Sequence, residues 1–210
     1  MWKKISVLAM TTVMVGALAA CGDDDANSNK SSNNNNNNNT EQTKDSNTSS
    51  DSNSNNTVDL NNKKFSMSYT DAIEIFKNKH PEADVTSVEL SQELGKYVYT
   101  IDGVDDNNEY EMKFDADTKA ILQDNNEKLD AEDANGKERA NEKLNLNGIK
   151  TPQEAMTAAL KQQSGTVSEW TIEREMNQTY FEVKIINGNQ TFDIKLDAKT
   201  LAVLSTEQDD

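Results

Sequence analysis

The chain repeats itself. Phe114-Asp115-Ala116-Asp117-Thr118-Lys119-Ala120-Ile121-Leu122 and Leu196-Asp197-Ala198-Lys199-Thr200-Leu201-Ala202-Val203-Leu204 share the pattern apolar-Asp-Ala-x-Thr-x-Ala-apolar-Leu. With Phe114 set on Leu196, Val88-Glu89-Leu90 falls on Trp170-Thr171-Ile172, and Tyr99-Thr100-Ile101 on Phe181-Glu182-Val183. Further upstream, Ser68-Tyr69-Thr70-Asp71-Ala72 matches Thr151-Pro152-Gln153-Glu154-Ala155 after the alignment slips by a single position. An internal repeat fixes the architecture more tightly than composition does, because each copy must fold by the same local rules.

Each copy opens with a helix. Thr151-x-x-Glu154 with Pro152 at the first helical position is a capping box, and Ser68-x-x-Asp71 is a weaker form of it. Ala72, Ile73 and Phe76 share a face, as do Ala155, Met156, Ala159 and Leu160. The first helix is expected to stop before Pro81 and the second at Gly165, as a left-handed cap. Three strands follow in each copy. Apolar residues alternate at Val88 and Leu90, then Tyr97, Tyr99 and Ile101, then Tyr110, Met112 and Phe114. The second set is Trp170 and Ile172, then Phe181, Val183 and Ile185, then Phe192, Ile194 and Leu196. A period of two with one apolar side means antiparallel strands packed on one face and wet on the other. Asn187-Gly188 reads as a hairpin turn, with 105–108 as its counterpart. The fold class is therefore α+β: two tandem units, each a helix plus a three-stranded antiparallel meander, after a disordered N-terminal tether.

The tether has its own logic. Met1-Trp2-Lys3-Lys4 is basic, and a mostly apolar run follows from Ile5 to Ala20, shorter than the ~20 residues a bilayer span needs. Residues 1–20 read as an export signal. It ends Leu18-Ala19-Ala20-Cys21, which resembles the bacterial lipobox. That resemblance implies a diacylglyceryl group on the single cysteine, Cys21, which would hold the protein to the cell membrane on its extracytoplasmic face. Two acyl chains make a stable anchor where one does not. Asn and Ser make up more than half of residues 22–62, with an unbroken asparagine run from Asn33 to Asn39. Such a segment cannot bury enough surface to offset chain entropy, so 21–62 reads as a disordered spacer spanning roughly 35 Å. The remaining divisions are a first repeat at 63–122, a polar and part-helical linker at 123–148, a second repeat at 149–204, and an acidic tail at 205–210.

Several chemistries are excluded or disfavoured. One cysteine forbids a disulfide framework or a cysteine-based zinc site. A net charge of −16 argues against nucleic-acid partners. His80 is the single histidine and lies between Lys79 and Pro81. It reads as an exposed residue at a helix end. No His-Glu-x-x-His, Gly-x-Ser-x-Gly or glycine-rich phosphate loop occurs. Asp133-Ala134-Asn135-Gly136 with Glu142 matches part of a calcium loop, but Ala131 stands where a carboxylate is required. The acidic stretch 102–111 reads as a solvated turn. No catalytic, cofactor or metal residues are assigned, and the chain is read as not an enzyme. The first copy, 66–122, has 13 acids and 5 bases; the second, 149–204, has 7 and 6, so a cationic partner would prefer the first.

The repeated unit resembles the PepSY family. The matching pieces are Ala72 and Ala155 in the helices, Tyr99-x-Ile101 and Phe181-x-Val183 in the second strands, and the two Asp-Ala-x-Thr endings. The family usually places glycine after that threonine. Lys119 and Leu201 stand there instead, so the turn is expected to be made differently. The resemblance implies an extracytoplasmic protein of the bacterial envelope and a role in inhibiting or regulating peptidases. The expectation is a non-catalytic interaction module whose partner is an envelope or secreted peptidase. The alternative is an anionic structural or cation-binding surface component without a dedicated protein partner.

Overall fold

Two reciprocal caps start the two long helices. In α1 (Tyr69–Lys79) the Asp71 N–H donates to Ser68 Oγ at 3.1 Å, and the Ser68 N–H donates to Asp71 Oδ2 at 3.3 Å. In α3 (Pro152–Gln162) the Glu154 N–H donates to Thr151 Oγ1 at 3.2 Å and the Thr151 N–H donates back to Glu154 Oε2 at 3.0 Å. The computed structural model describes residues 59–209. Helix α1 stops at Lys79, before Pro81, as expected. Helix α3 stops earlier than expected, at Gln162, because Gln163 is already extended. Gly165 is needed for a different reason than capping. A Cβ there would lie 2.5 Å from the Ile186 carbonyl oxygen.

The strands are β1 (Asp84–Glu93), β2 (Lys96–Val104), β3 (Asn108–Asp115), β4 (Ile121–Lys128), β5 (Thr166–Glu175), β6 (Gln178–Asn187), β7 (Gln190–Asp197) and β8 (Val203–Asp209), with the short helix α2 (Lys137–Glu142) between the copies. All pair antiparallel in one eight-stranded sheet of order β4-β3-β2-β1-β5-β6-β7-β8. The alternating face is as expected, but two separate three-stranded meanders are not what forms. Each copy has a fourth strand, and the copies are joined. Strand β4 continues Ile121-Leu122 with Gln123-Asp124-Asn125-Asn126-Glu127-Lys128, and all of β4 is exposed or half-buried. Its ladder to β3 holds it in place, so it shows no period of two. Strand β8 is its equivalent and takes in residues 205–209 of the expected acidic tail. The β6–β7 turn is Gly188-Asn189, since Asn187 pairs with Gln190; Gly188 has φ 65°.

The junction is symmetric. Val88 pairs with Ile172, Glu89 with Thr171 and Leu90 with Trp170. In the repeat Val88 is the equivalent of Trp170 and Leu90 of Ile172, so a pseudo-twofold axis runs through the Glu89–Thr171 pair. That axis puts α1 and α3 on the same face. Buried residues of both copies form one core, with Phe76, Phe114, Phe181 and Ile194 each fully enclosed. Trp170 is its centre, 6.1 Å from the Tyr69 ring and 6.2 Å from that of Tyr99. A single copy of this size would be marginal, and sharing one core relieves it.

The segments flanking the copies are also built in. Leu144 joins the core and its N–H donates to the Val85 carbonyl at 2.9 Å. Arg139 of α2 bridges Asp84 at 2.7 Å and Asp106 at 3.2 Å. Residues 59–61, read from sequence as part of the spacer, are buried or half-buried, and Leu60 is 1% exposed.

Candidate interaction surface

With α1 and α3 on one face, the other face of the sheet is left to polar side chains. The register places Lys113, Thr100, Glu89, Thr171, Glu182 and Lys195 in one row across β3, β2, β1, β5, β6 and β7. Lys113 pairs with Glu93 at 2.6 Å, and Lys195 with Glu182 at 3.4 Å. Two residues along each strand, on the same face, Lys184 stands 3.9 Å from both Glu169 and Asp193. Long side chains crowd over the small ones between them, so Thr100 and Thr171 are buried on this face.

Crowding changes the charges. Burial, reinforced by Glu89, pushes the Glu169 carboxyl up to about 7. Burial also raises Asp193 to about 6, although Lys184 pulls it down. Burial raises Glu111, against the pull of Lys113. For Lys184 burial works against the charge, but Glu169 and Asp193 outweigh it and the ammonium is held above its ordinary range. The face therefore carries acids that take up a proton close to neutrality beside lysines that stay charged.

The margins of the sheet add apolar points that sequence reading missed. Leu94 and Met176 are fully or almost fully exposed at the tips of the β1–β2 and β5–β6 hairpins, with φ of 47° and 48°. They are repeat equivalents, and the Gly95 and Asn177 that follow were the available turn signal. Ile121 and Leu122 at the start of edge strand β4 are 45% and 44% exposed, and their equivalents Val203 and Leu204 on β8 are 41% and 46%.

The residues singled out from sequence mostly serve the fold. His80 is not an exposed end residue. Its side chain is 18% exposed, its Nε2 lies 2.9 Å from Asp124 Oδ1 on β4, and its ring lies 4.5 Å from that of Tyr110. It ties α1 to the sheet edge. Asp105, in the acidic stretch, accepts from the N–H groups of Asn107 and Asn108 at 2.7 Å each and from the Tyr110 hydroxyl at 2.7 Å. Burial raises its pKa, but these bonds outweigh it and hold it at about 2. In the partial calcium loop, Gly136 caps α2 and donates to the Asp106 carbonyl at 3.1 Å. Among the described residues no three His, Cys, Asp or Glu side chains gather as a metal cluster. Cys21 lies outside the described residues.

The Asp-Ala-x-Thr motifs are turn builders. Asp115 Oδ1 accepts from the N–H of Asp117 and Thr118 at 3.1 and 2.9 Å; Asp197 Oδ1 accepts from Lys199 and Thr200 at 3.1 and 2.8 Å. The turn was expected to differ where glycine is missing. Instead Lys119 and Leu201 adopt the left-handed backbone that favours glycine, at φ 64° and 58°. Hydrogen bonds from both residues to the Asp115 and Asp197 carbonyls, at 2.8 and 2.9 Å, hold them there.

Comparison with known proteins agrees with this architecture. The family model described as "Peptidase propeptide and YPEB domain" matches residues 66–125 and 149–207. The crystal structure of a candidate lipoprotein from Clostridium difficile 630 is 48% identical, covers 72% of this chain and 99% of its own, and superposes with a TM-score of 0.70. The YpeB C-terminal domain of Bacillus megaterium is 20% identical over 70% of this chain and 67% of its own, with a TM-score of 0.28, too low to bear on the fold. No curated protein matches the chain.

Proposed function

The chain belongs to the PepSY family, the peptidase propeptide and YPEB domain, and on that premise we propose that it is a non-catalytic binding protein, anchored by lipid on Cys21 outside the cell membrane, whose partner is a secreted or envelope peptidase. One observation carries the reading. Two family units are fused edge to edge into one sheet whose helices cover only one face. The other face, six strands of it spanned by a single row of acids, lysines and threonines, is left as a platform.

A platform of this kind binds by charge complementarity, which selects partners and speeds encounter more than it adds raw affinity. The lysines at its two ends, Lys113 and Lys195, already hold acids, so a partner must exchange those pairs. The lipid anchor is supported by Leu18-Ala19-Ala20-Cys21 and by the description of the Clostridium difficile relative as a candidate lipoprotein. No helix among the described residues is long and apolar enough to cross a membrane.

The test is titration of the purified chain onto secreted peptidases from the same cells, with turnover and complex formation both followed. A saturable complex that changes turnover, weakened by Lys113→Glu with Lys195→Glu, is the expected result. Absence of a complex at low and moderate salt, with unselective salt-sensitive uptake of cations instead, would replace this reading with an anionic surface component.

A further inference from the structure

The chain contains three Asn-Gly pairs: Asn135-Gly136, Asn147-Gly148 and Asn187-Gly188. Such a pair has an intrinsic chemistry of its own. The amide nitrogen of the second residue can attack the side-chain carbonyl carbon of the asparagine, and glycine has no Cβ to block the approach. In sequence the three pairs are equivalent. The fold separates them, because the attack has two requirements. The glycine N–H must be able to give up its proton, and the backbone must be able to turn until nitrogen and carbon meet at about 3–3.5 Å.

Asn135 fails the first requirement. The Gly136 N–H donates to the Asp106 carbonyl at 3.1 Å, and the Gly136 carbonyl accepts from the Ala140 N–H at 3.0 Å where α2 begins. Asn187 fails the second. It is the last residue of β6 and pairs with Gln190 across the hairpin. Turning its peptide bond toward its own side chain would break the end of the β6–β7 ladder.

Asn147 meets both. It is exposed and lies in a turn outside every helix and ladder. Among the described residues no hydrogen bond takes the Gly148 N–H. Gly148 has φ 71°, and even an added Cβ there would meet nothing within 4 Å. The Asn147 N–H donates to Asn145 Oδ1 at 3.1 Å, a bond between two exposed neighbours that engages neither reacting atom.

We propose that Asn147 is a site of spontaneous deamidation, and that the fold keeps Asn135 and Asn187 from the same reaction. The Gly148 nitrogen gives its proton to solvent and bonds to Asn147 Cγ. The Cγ–Nδ2 bond breaks, and the nitrogen leaves as ammonia with a proton from solvent. Water then opens the cyclic imide at either carbonyl. One product is aspartate in place of Asn147. The other is an isoaspartyl link, in which the main chain runs through the former side chain. Overall one water enters and one ammonia leaves, with nothing oxidised or reduced.

The place of the reaction gives it consequence. Either product puts a new carboxylate in the segment that joins the two copies. The isoaspartyl form also lengthens the main chain between Leu146 and Ile149, which both pack against the core. That stretch is pinned on each side, by the Leu144 N–H to the Val85 carbonyl at 2.9 Å and the Lys150 N–H to the Ala198 carbonyl at 2.7 Å. No residue of the open face takes part, so the proposal stands or falls separately from the peptidase reading.

The test follows the full chain in mildly alkaline buffer, folded and unfolded in urea. Mass spectrometry of digests reads asparagine, aspartate and isoaspartate at the three positions. In the folded chain Asn147 should convert at least tenfold faster than Asn135 or Asn187, because those two must first open locally. In urea the three should converge on similar rates. A lead of less than tenfold in the folded chain, a lead by Asn135 or Asn187, or no conversion of Asn147 would overturn the proposal. So would a tenfold lead that persists in urea, since the preference would then belong to the neighbouring sequence and not to the fold.

Discussion

Moderate acid should stabilise this protein. Glu169, with 31% of its side chain exposed, has a folded pKa of about 7 against an ordinary 4.5. Asp193, 17% exposed, sits at about 6 against 3.8. Between those ordinary values and about pH 7 the folded chain binds more protons than the unfolded one, so stability falls as pH rises through that window. A tenfold change in proton affinity corresponds to about 1.4 kcal/mol, which gives ~3 kcal/mol for Glu169 at face value. The two acids share Lys184, so their effects do not add. Allowing for solvent on Glu169 leaves a combined loss of about 2–3 kcal/mol between pH 5 and pH 8. The opposing groups act elsewhere. Asp105 and Asp197, both held at about 2, weaken the fold only as pH drops through the acid range below their ordinary values.

The assay is thermal unfolding across pH 4.5–8. The midpoint should peak near pH 5 and drop by about 5–10 °C by pH 8, at roughly 2–4 °C per kcal/mol for a domain of this size. General repulsion in an acidic chain also grows with pH. Glu169→Gln separates the two, since it changes the net charge by one and removes the buried carboxylate. It should raise the midpoint at pH 8 and leave it nearly unchanged at pH 5. A midpoint that stays level or climbs from pH 5 to pH 8, or a variant shifted equally at both, would refute the reasoning.

Three further outcomes are expected. Lys119→Gly should stabilise by about 0.5–1 kcal/mol in denaturant titration, because it relieves a left-handed backbone at φ 64° and sacrifices only an exposed ion pair to Asp71. Gly165→Ala should destabilise by about 2 kcal/mol or more, because the added Cβ would meet the Ile186 carbonyl at 2.5 Å and backbone cannot yield as a side-chain tip can. Cys21→Ser should abolish incorporation of labelled palmitate in cells and release the protein to the medium; retention of label would remove the lipid anchor from the proposed function.

The parts of the fold legible in the sequence are those where burial is one-sided. Ala72, Ile73 and Phe76 with the cap at Ser68, and the alternation through Tyr97, Tyr99 and Ile101, announce helix and strand because water lies on one side only. Strands β4 and β8 bury no apolar face and are held by backbone pairing and polar contacts, so they leave no such period. The β1–β5 junction is silent for a related reason. Val88 and Leu90 would alternate in the same way at a free edge, since pairing engages the backbone and not the side chains. The burial of Leu60 was hidden by its asparagine-rich surroundings. A signal for it existed: Leu60-Asn61 and Leu144-Asn145 are the same dipeptide, each a short way ahead of a capped helix, so the repeat begins earlier than its helices. The open face was legible in outline as the polar phase of each strand. Which acids meet which lysines was not, because Lys184 finds Glu169 and Asp193 only through the registers of three strands.

The pseudo-twofold axis explains what fusing two copies in one chain achieves. The pair on the axis is Glu89 with Thr171. In a symmetric dimer of the first unit the residue on the axis would face itself, and two Glu89 carboxylates would stand directly opposite one another, which is destabilising in an antiparallel pair. A single chain is free of that constraint. It places Thr171, 9% exposed, against Glu89, and in the next pair along it sets Leu90 against Trp170, where symmetry would have set it against a second Val88. The same freedom lets the first copy hold most of the negative charge. Duplication supplied the shared sheet and core, and covalent linkage let the two halves diverge where symmetry would have forced like against like.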